Sequence, residues 1–164
     1  MDETYIVDAY NVVFAWWLRP PVSEDDLRVA RRRLTDRVSR FAQRRRARVI
    51  LVFDGVRPGD EPAGKTGGGV RILWSGGTAT ADERIRALLA ANDSKGATIA
   101  VSGDREGVVV HAAAAGARTL SPRDFLSITD ESVAMGPESD KPEHASRADV
   151  EYWLRRFECT KRDG

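Results

Sequence analysis

Val49-Ile50-Leu51-Val52-Phe53-Asp54-Gly55 sets the frame for the whole chain. Five consecutive apolar residues, β-branched at Val49, Ile50 and Val52, make a strand-length run with no polar face. Both faces must therefore be covered, as in a parallel sheet layered between helices. The run stops at an acid and a glycine, residue types that turn the chain away from the sheet. The pattern recurs on either side: Tyr5-Ile6-Val7 ends at Asp8, and Ala97-Thr98-Ile99-Ala100-Val101-Ser102 ends at Gly103-Asp104. Val70-Arg71-Ile72-Leu73-Trp74 is a further strand, after which Thr80-Ala81-Asp82-Glu83 forms a capping box that opens a helix with Ile85, Leu88 and Leu89 inward.

Helices fill the intervals. Ser23, followed by Glu24, Asp25 and Asp26, is an N-cap signature, and Leu27, Ala30, Leu34, Val38 and Phe41 recur at helical spacing to about Arg46. Another helix follows Gly103-Asp104 through Val108, Val109, Ala112 and Ala113, and Gly116 ends it. Ala117-Arg118-Thr119-Leu120 reads as a short last strand, and Ser121-Pro122 starts a helical turn at Arg123-Asp124-Phe125-Leu126. Val12-Val13-Phe14-Ala15-Trp16-Trp17 reads as an apolar loop. Strands alternating with helices predict an α/β domain over residues 1–128, three-layered, with a central, mostly parallel sheet and helices on both faces. Residues 129–145 are polar with Gly136, Pro137 and Pro142 and read as a linker; residues 146–158, capped by Ser146 with Val150, Trp153, Leu154 and Phe157 on one face, read as a terminal helix that docks on or near the domain.

The 164 residues, 41% hydrophobic, suffice for one domain with its own core. No apolar run approaches the roughly 20 residues of a membrane span. Met1-Asp2-Glu3-Thr4 is acidic rather than a basic leader, so a cytoplasmic location is expected. Cys159 is the only cysteine, and His111 and His144 the only histidines, which excludes a disulfide framework and a sulfur or imidazole metal site.

In an open parallel sheet, ligands bind outside the carboxyl ends of the strands. Asp8, Asp54 and Asp104 stand at such ends, and Asp82 sits in the first turn of the helix after another. Four carboxylates in one crevice repel unless a divalent cation neutralises them, and an all-oxygen donor set selects Mg2+ or Mn2+. Phosphodiester hydrolysis is the chemistry such an ion supports. Each Asp is equally the residue expected to cap a helix or close a turn.

The segments Ile6-Val7-Asp8-Ala9-Tyr10-Asn11-Val12-Val13, Val52-Phe53-Asp54, Thr80-Ala81-Asp82-Glu83-Arg84-Ile85, Val101-Ser102-Gly103-Asp104-Arg105 and Glu151-Tyr152-Trp153-Leu154-Arg155-Arg156-Phe157 together resemble the NYN domain family, in its YacP-like branch. That resemblance implies a PIN-like fold and a Mg2+- or Mn2+-dependent endoribonuclease. It also implies Asp8, Asp82 and Asp104 as the metal-holding acids, with Asp54 and Asn11 at further positions of the same pocket. Single-stranded RNA, messenger or ribosome-associated, is the implied substrate. Two alternatives stand beside it: an RNA-binding module whose acids no longer hold metal, and a phosphohydrolase on a similar sheet.

The net charge of +1 conceals a segregation. Arg33, Arg37, Arg40 and Arg44 fall at spacings of four, three and four on the long helix, a guanidinium stripe suited to a phosphate backbone. Arg105, beside the last acid, and Trp16, as a stacking platform, complete the expected RNA contacts. A solvated helix with a basic carboxyl half would show the same stripe. Gly59-Asp60-Glu61-Pro62-Ala63-Gly64-Lys65-Thr66 has the letters of a phosphate-binding loop, but a strand follows rather than a helix, so a hairpin is expected.

Overall fold

Val7 and Leu51 bury one face of their strands while Ile6 and Val52 bury the other, and this double burial forces helices onto both sides of the sheet. The computed structural model describes residues 3–17, 22–91 and 97–134; the side chains of Arg105 and of residues 131–134 lie outside that description, as does the expected helix at 146–158. The strands are β1 (Thr4–Asp8), β2 (Arg48–Phe53), β3 (Gly64–Lys65), β4 (Val70–Trp74), β5 (Thr98–Val101) and β6 (Arg118–Leu120). They form one sheet in the order β3-β4-β2-β1-β5-β6. Every pairing is parallel except β3 with β4. Thus the chain builds outward from β1 through β2 to β4, then returns to add β5 on the other side of β1. The resulting switch point lies between β1 and β5, above Asp8 and just before Asp104.

Among the described residues five α-helices cover the faces: α1 (Ala9–Trp16), α2 (Glu24–Arg45), α3 (Ala81–Ala90), α4 (Val110–Ala114) and α5 (Pro122–Ala134). The larger core joins α1, α2 and α5 to one sheet face through Leu34, Val38, Phe41, Phe53 and Phe125. Tyr5 meets the Phe41 ring edge-on at 5.2 Å, and each fully buried ring contributes on the order of 1.5–3 kcal/mol from burial. On the opposite face Ala81, Ile85 and Leu89 of α3 join Ile6, Val52 and Ala100. The expected caps are present: Ser23 and Asp26 bond reciprocally at the start of α2, as do Thr80 and Glu83 at α3.

Three expectations change. Val12–Trp17 is not a loop but most of α1, opened by Asp8 as N-cap. α5 runs on to Ala134 with Thr129 buried, so the helix occupies the first residues assigned to the linker. The segment after Asp104 begins with a π-helical turn, Arg105–Val109, before α4. The glycine-rich loop forms a hairpin as expected: β3 pairs antiparallel with β4 across the single 3-10 turn Gly67–Gly69, and the strand β4, not an α-helix, follows Lys65-Thr66.

Candidate active site

The carboxyl edge of the sheet opens into a cleft of about 790 Å3 whose lining includes Asp8, Asn11, Asp54, Asp82 and Asp104. Each acid arrives by a different local device. Asp8 ends β1 and caps α1: its Oδ1 accepts from the Asn11 amide at 3.2 Å and its Oδ2 from the Asn11 side chain. Asp54 ends β2, and its Oδ1 accepts from Ser75 Oγ at 3.0 Å and from the Ala81 amide at 2.8 Å, tying β2 to the start of α3. Asp82 lies in the first turn of α3. Asp104 follows β5 and caps the π-turn, its Oδ1 accepting from the Glu106 and Gly107 amides, both at 3.1 Å. Ser102 is buried, and its Oγ accepts from the Asp104 amide at 3.0 Å, fixing the backbone that carries the acid.

Asp8, Asp54 and Asp104 are thus acceptors for helix or turn amides as well as cleft acids, whereas Thr80 and Glu83 cap the helix that carries Asp82. The two roles are compatible, because in each of the three the backbone amides take Oδ1 alone. Asp8 is only 5% exposed, and burial pushes its carboxyl above the usual range; the charges of Asp54 and Asp104 push the same way. Burial and a hydrogen bond shared with Asp104 raise Asp82 to about 6, and Asp8 adds to the shift. Asp104 moves the opposite way, held low by the bond from the Gly107 amide and by the one shared with Asp82. The acids therefore act on one another electrostatically, and Asp82 keeps its proton up to about pH 6, above the range of an isolated aspartate.

Such a unit suits a hard divalent cation. Its donors are all carboxylate oxygen, its mutual repulsion is only partly relieved, and Arg86 is the cation whose charge eases both Asp82 and Asp104. Among the described residues no three acids, histidines or cysteines are drawn together into a finished ligand set. Asp82 and Asp104 share a hydrogen bond, and Asp8 feels the charges of Asp54 and Asp104. Asp82 also fixes how cation binding should depend on pH. Its folded-state value of about 6 lies above the ordinary aspartate value, so its contribution to folding is full below about pH 4 and is lost as pH rises through 6. A cation that needs the ionised form restores that loss above about pH 6 only. The thermal stabilisation given by Mn2+ is accordingly expected to be small at about pH 5 and to grow steeply towards about pH 7.5. A stabilisation equal at both values would remove Asp82 from the ion's surroundings.

The structure divides the expected RNA contacts. Arg33 stacks over the Trp17 ring at 4.1 Å and Arg37 over Trp16 at 4.6 Å, with the two indoles 5.3 Å apart, so guanidinium and indole planes form one cluster. Trp16 remains 39% exposed. Arg37, however, is turned against α5, where it donates to Thr129 Oγ1 at 2.7 Å and to the Leu126 carbonyl at 2.8 Å and pairs with Asp130. The guanidinium stripe is therefore interrupted at its second member, while Arg40 and Arg44 remain exposed. The Arg105 side chain lies outside the described residues. Sequence reasoning missed Arg123, which lines the cleft from the start of α5, and Phe14, which lines it from α1. Ser121-Pro122 already marked that helix start; extending the strand-end rule to β6 would have reached Arg123.

An open, mostly parallel sheet with acids from four separate segments at its carboxyl edge defines a nuclease-like α/β domain of the PIN type. Residues 5–156 match the YacP-like NYN domain, and the chain belongs to that family. Among solved structures it resembles Rae1 (YacP) from Bacillus subtilis, with a TM-score of 0.67 at 22% identity over 98% of this chain and 84% of that one. A point mutant of the same Bacillus subtilis protein superposes with a TM-score of 0.65, also at 22% identity, over 97% of this chain and 85% of that one. No curated protein matches the sequence. Among the described residues no helix is long and apolar enough to cross a membrane.

Proposed function

We propose that this chain is a Mg2+- or Mn2+-dependent endoribonuclease that cleaves single-stranded RNA. The observation that carries this is the convergence of Asp8, Asp54, Asp82 and Asp104 on one cleft, three of them close enough to shift one another's protonation. Family membership supports an RNA-directed nuclease in general. Asp8, Asp82 and Asp104 would hold the ion, which when bound supplies Lewis-acid stabilisation of the phosphodiester and a water of lowered pKa.

The chain's own side chains do the positioning. Asn11 donates to Asp8 and so keeps that carboxylate aimed into the cleft. Asp54 fixes the start of α3 through the Ala81 amide and thereby places Asp82. Arg123, on the rim, supplies a guanidinium for a phosphate, and exposed Phe14 and Trp16 offer faces on which unpaired bases can stack. A cleft open along one side suits a flexible single strand better than a duplex, whose A-form grooves withhold the base edges.

The test is incubation of an end-labelled single-stranded RNA with the protein and Mn2+, with and without a chelator. Internal cleavage that the chelator abolishes is the expected result. RNA binding without cleavage in Mn2+ would instead favour a non-catalytic RNA-binding module.

A further inference from the structure

A second cavity, of about 340 Å3, lies between α2, β4 and the segment that includes Asp60, Glu61 and Pro62. It shares a wall with the acidic cleft. Tyr10 lines the cleft, and its hydroxyl oxygen accepts at 3.1 Å from Nη1 of Arg31, which lines the second cavity. At its base is a buried ion pair: the side chains of Arg31 and Glu61 are 3% and 9% exposed. Arg31 donates through Nε (3.1 Å) and Nη2 (2.8 Å), and both bonds end on the same oxygen, Oε1 of Glu61. Nη2 also reaches Glu24 at 2.6 Å.

Oε2 of Glu61 accepts no hydrogen bond from the described residues. Nor is it sealed away, since Thr4 Oγ1 is the buried side-chain polar atom that is both enclosed and unpaired among them. It is therefore an acceptor still open to a partner that enters from outside the fold. Glu61 lines a cavity walled by Phe53, Ile72 and Trp74, in which the Phe53 and Trp74 rings stack at 5.0 Å and the Arg31 guanidinium lies over the Trp74 ring at 5.6 Å. Arg32 stands exposed on the rim. Asp36 and Asp60 also line it, Asp60 pairing with Arg28 at 3.8 Å. Apolar walls, a carboxylate acceptor and a cation at the mouth suit a single nucleotide, and the volume is at the small end of ligand pockets.

We propose that this cavity binds one base of the RNA strand whose backbone crosses the acidic cleft, and that Glu61 selects a base carrying an exocyclic amino group. The inference rests on the nuclease assignment for its substrate but not for its geometry. Adenine, cytosine and guanine each turn an amino N–H towards Oε2. Uracil has no amino group, and its ring N–H lies between two carbonyl oxygens that meet the carboxylate with repulsion. Arg32 pairs with the phosphate of the bound nucleotide, and the Tyr10–Arg31 bond makes the base site and the cleft adjoining parts of one surface.

Titration of the metal-free full-length protein with adenosine, cytidine, guanosine and uridine monophosphates tests this directly, with calorimetry for affinity and the indole N–H resonance of Trp74 for location. The three amino-bearing nucleotides are expected to bind at least about tenfold more tightly than uridine monophosphate, the scale of one hydrogen bond to a charged acceptor. All four should shift the Trp74 resonance. In Glu61→Gln the amide oxygen can still accept from Arg31 while its NH2 faces the cavity, so the preference should invert towards uridine. Arg32→Ala, exposed and without risk to the core, should weaken all four by about twofold to fivefold.

Equal affinity for the four nucleotides, no binding, or binding that leaves Trp74 unmoved would overturn the proposal. The two assignments fail separately. Chelator-sensitive RNA cleavage without nucleotide selectivity leaves the nuclease and removes the base site. Selective nucleotide binding without any RNA cleavage does the reverse.

Discussion

Asp8→Asn is expected to abolish RNA cleavage, lowering the rate by about a thousandfold or more, while RNA affinity stays within about twofold and the melting temperature at neutral pH is unchanged or higher. The three outcomes follow from one side chain. Asp8 is an N-cap, and asparagine caps equally well, because its carbonyl oxygen can take the Asn11 amide hydrogen bond. Asn11 can turn its own amide to offer an acceptor to the new NH2. The charge, by contrast, is a burden to the folded protein: burial and the neighbouring acids push the carboxyl upward, so ionisation at neutral pH costs stability. Removing that charge relieves the fold and deprives the site of one of its three proposed metal-holding carboxylates. RNA affinity rests on the arginines and aromatics of the rim and should survive. Cleavage, binding and thermal denaturation measured on the one variant decide the matter. A variant that cleaves normally removes Asp8 from the chemistry, and one that melts well below the parent shows that the cap outweighs the charge.

The acids were legible because each apolar run stops at one, and a parallel sheet brings such stops to one edge whatever their separation in sequence. Helix α1 was not legible. Its exposed side carries Phe14 and Trp16 while its buried side carries Ala9, Val12 and Val13, so the segment shows no polar contrast at helical period. An exposed aromatic face beside the cleft is thus the same fact as the failure of the periodicity. Arg37 looked like its neighbours at spacings of three and four, yet its hydrogen-bond partners Thr129 and Leu126 lie 92 and 89 residues away. No local pattern reports that. The Arg31–Glu61 pair, 30 residues apart, was hidden for the same reason, and Glu61 stood inside a run whose phosphate-loop lettering drew attention elsewhere.

Gly107→Ala is expected to weaken Mn2+ binding by about tenfold to a hundredfold with little change in the stability of the metal-free protein. In the sequence this glycine is an unremarked member of an alanine-rich helical stretch, where alanine would be the better residue by about 1 kcal/mol. Its backbone is not among those with positive φ, so no unusual conformation demands glycine. Space does. A Cβ at Gly107 would stand 2.3 Å from Oδ2 of Asp104 and 3.0 Å from Oδ2 of Asp82, inside the contact distance of both. The π-helical turn presses its own backbone against the paired carboxylates, and the Gly107 amide at the same time donates to the other oxygen of Asp104. Added carbon must therefore drive the pair apart while leaving the turn intact. Cleavage should fall with Mn2+ affinity and recover in part at higher Mn2+, which separates a displaced ligand pair from a lost chemical group. Gly59→Ala, where a Cβ meets nothing within 4 Å, is the matched control and should behave as the parent. If Gly107→Ala binds Mn2+ as tightly as that control, Asp82 and Asp104 are not where the ion sits.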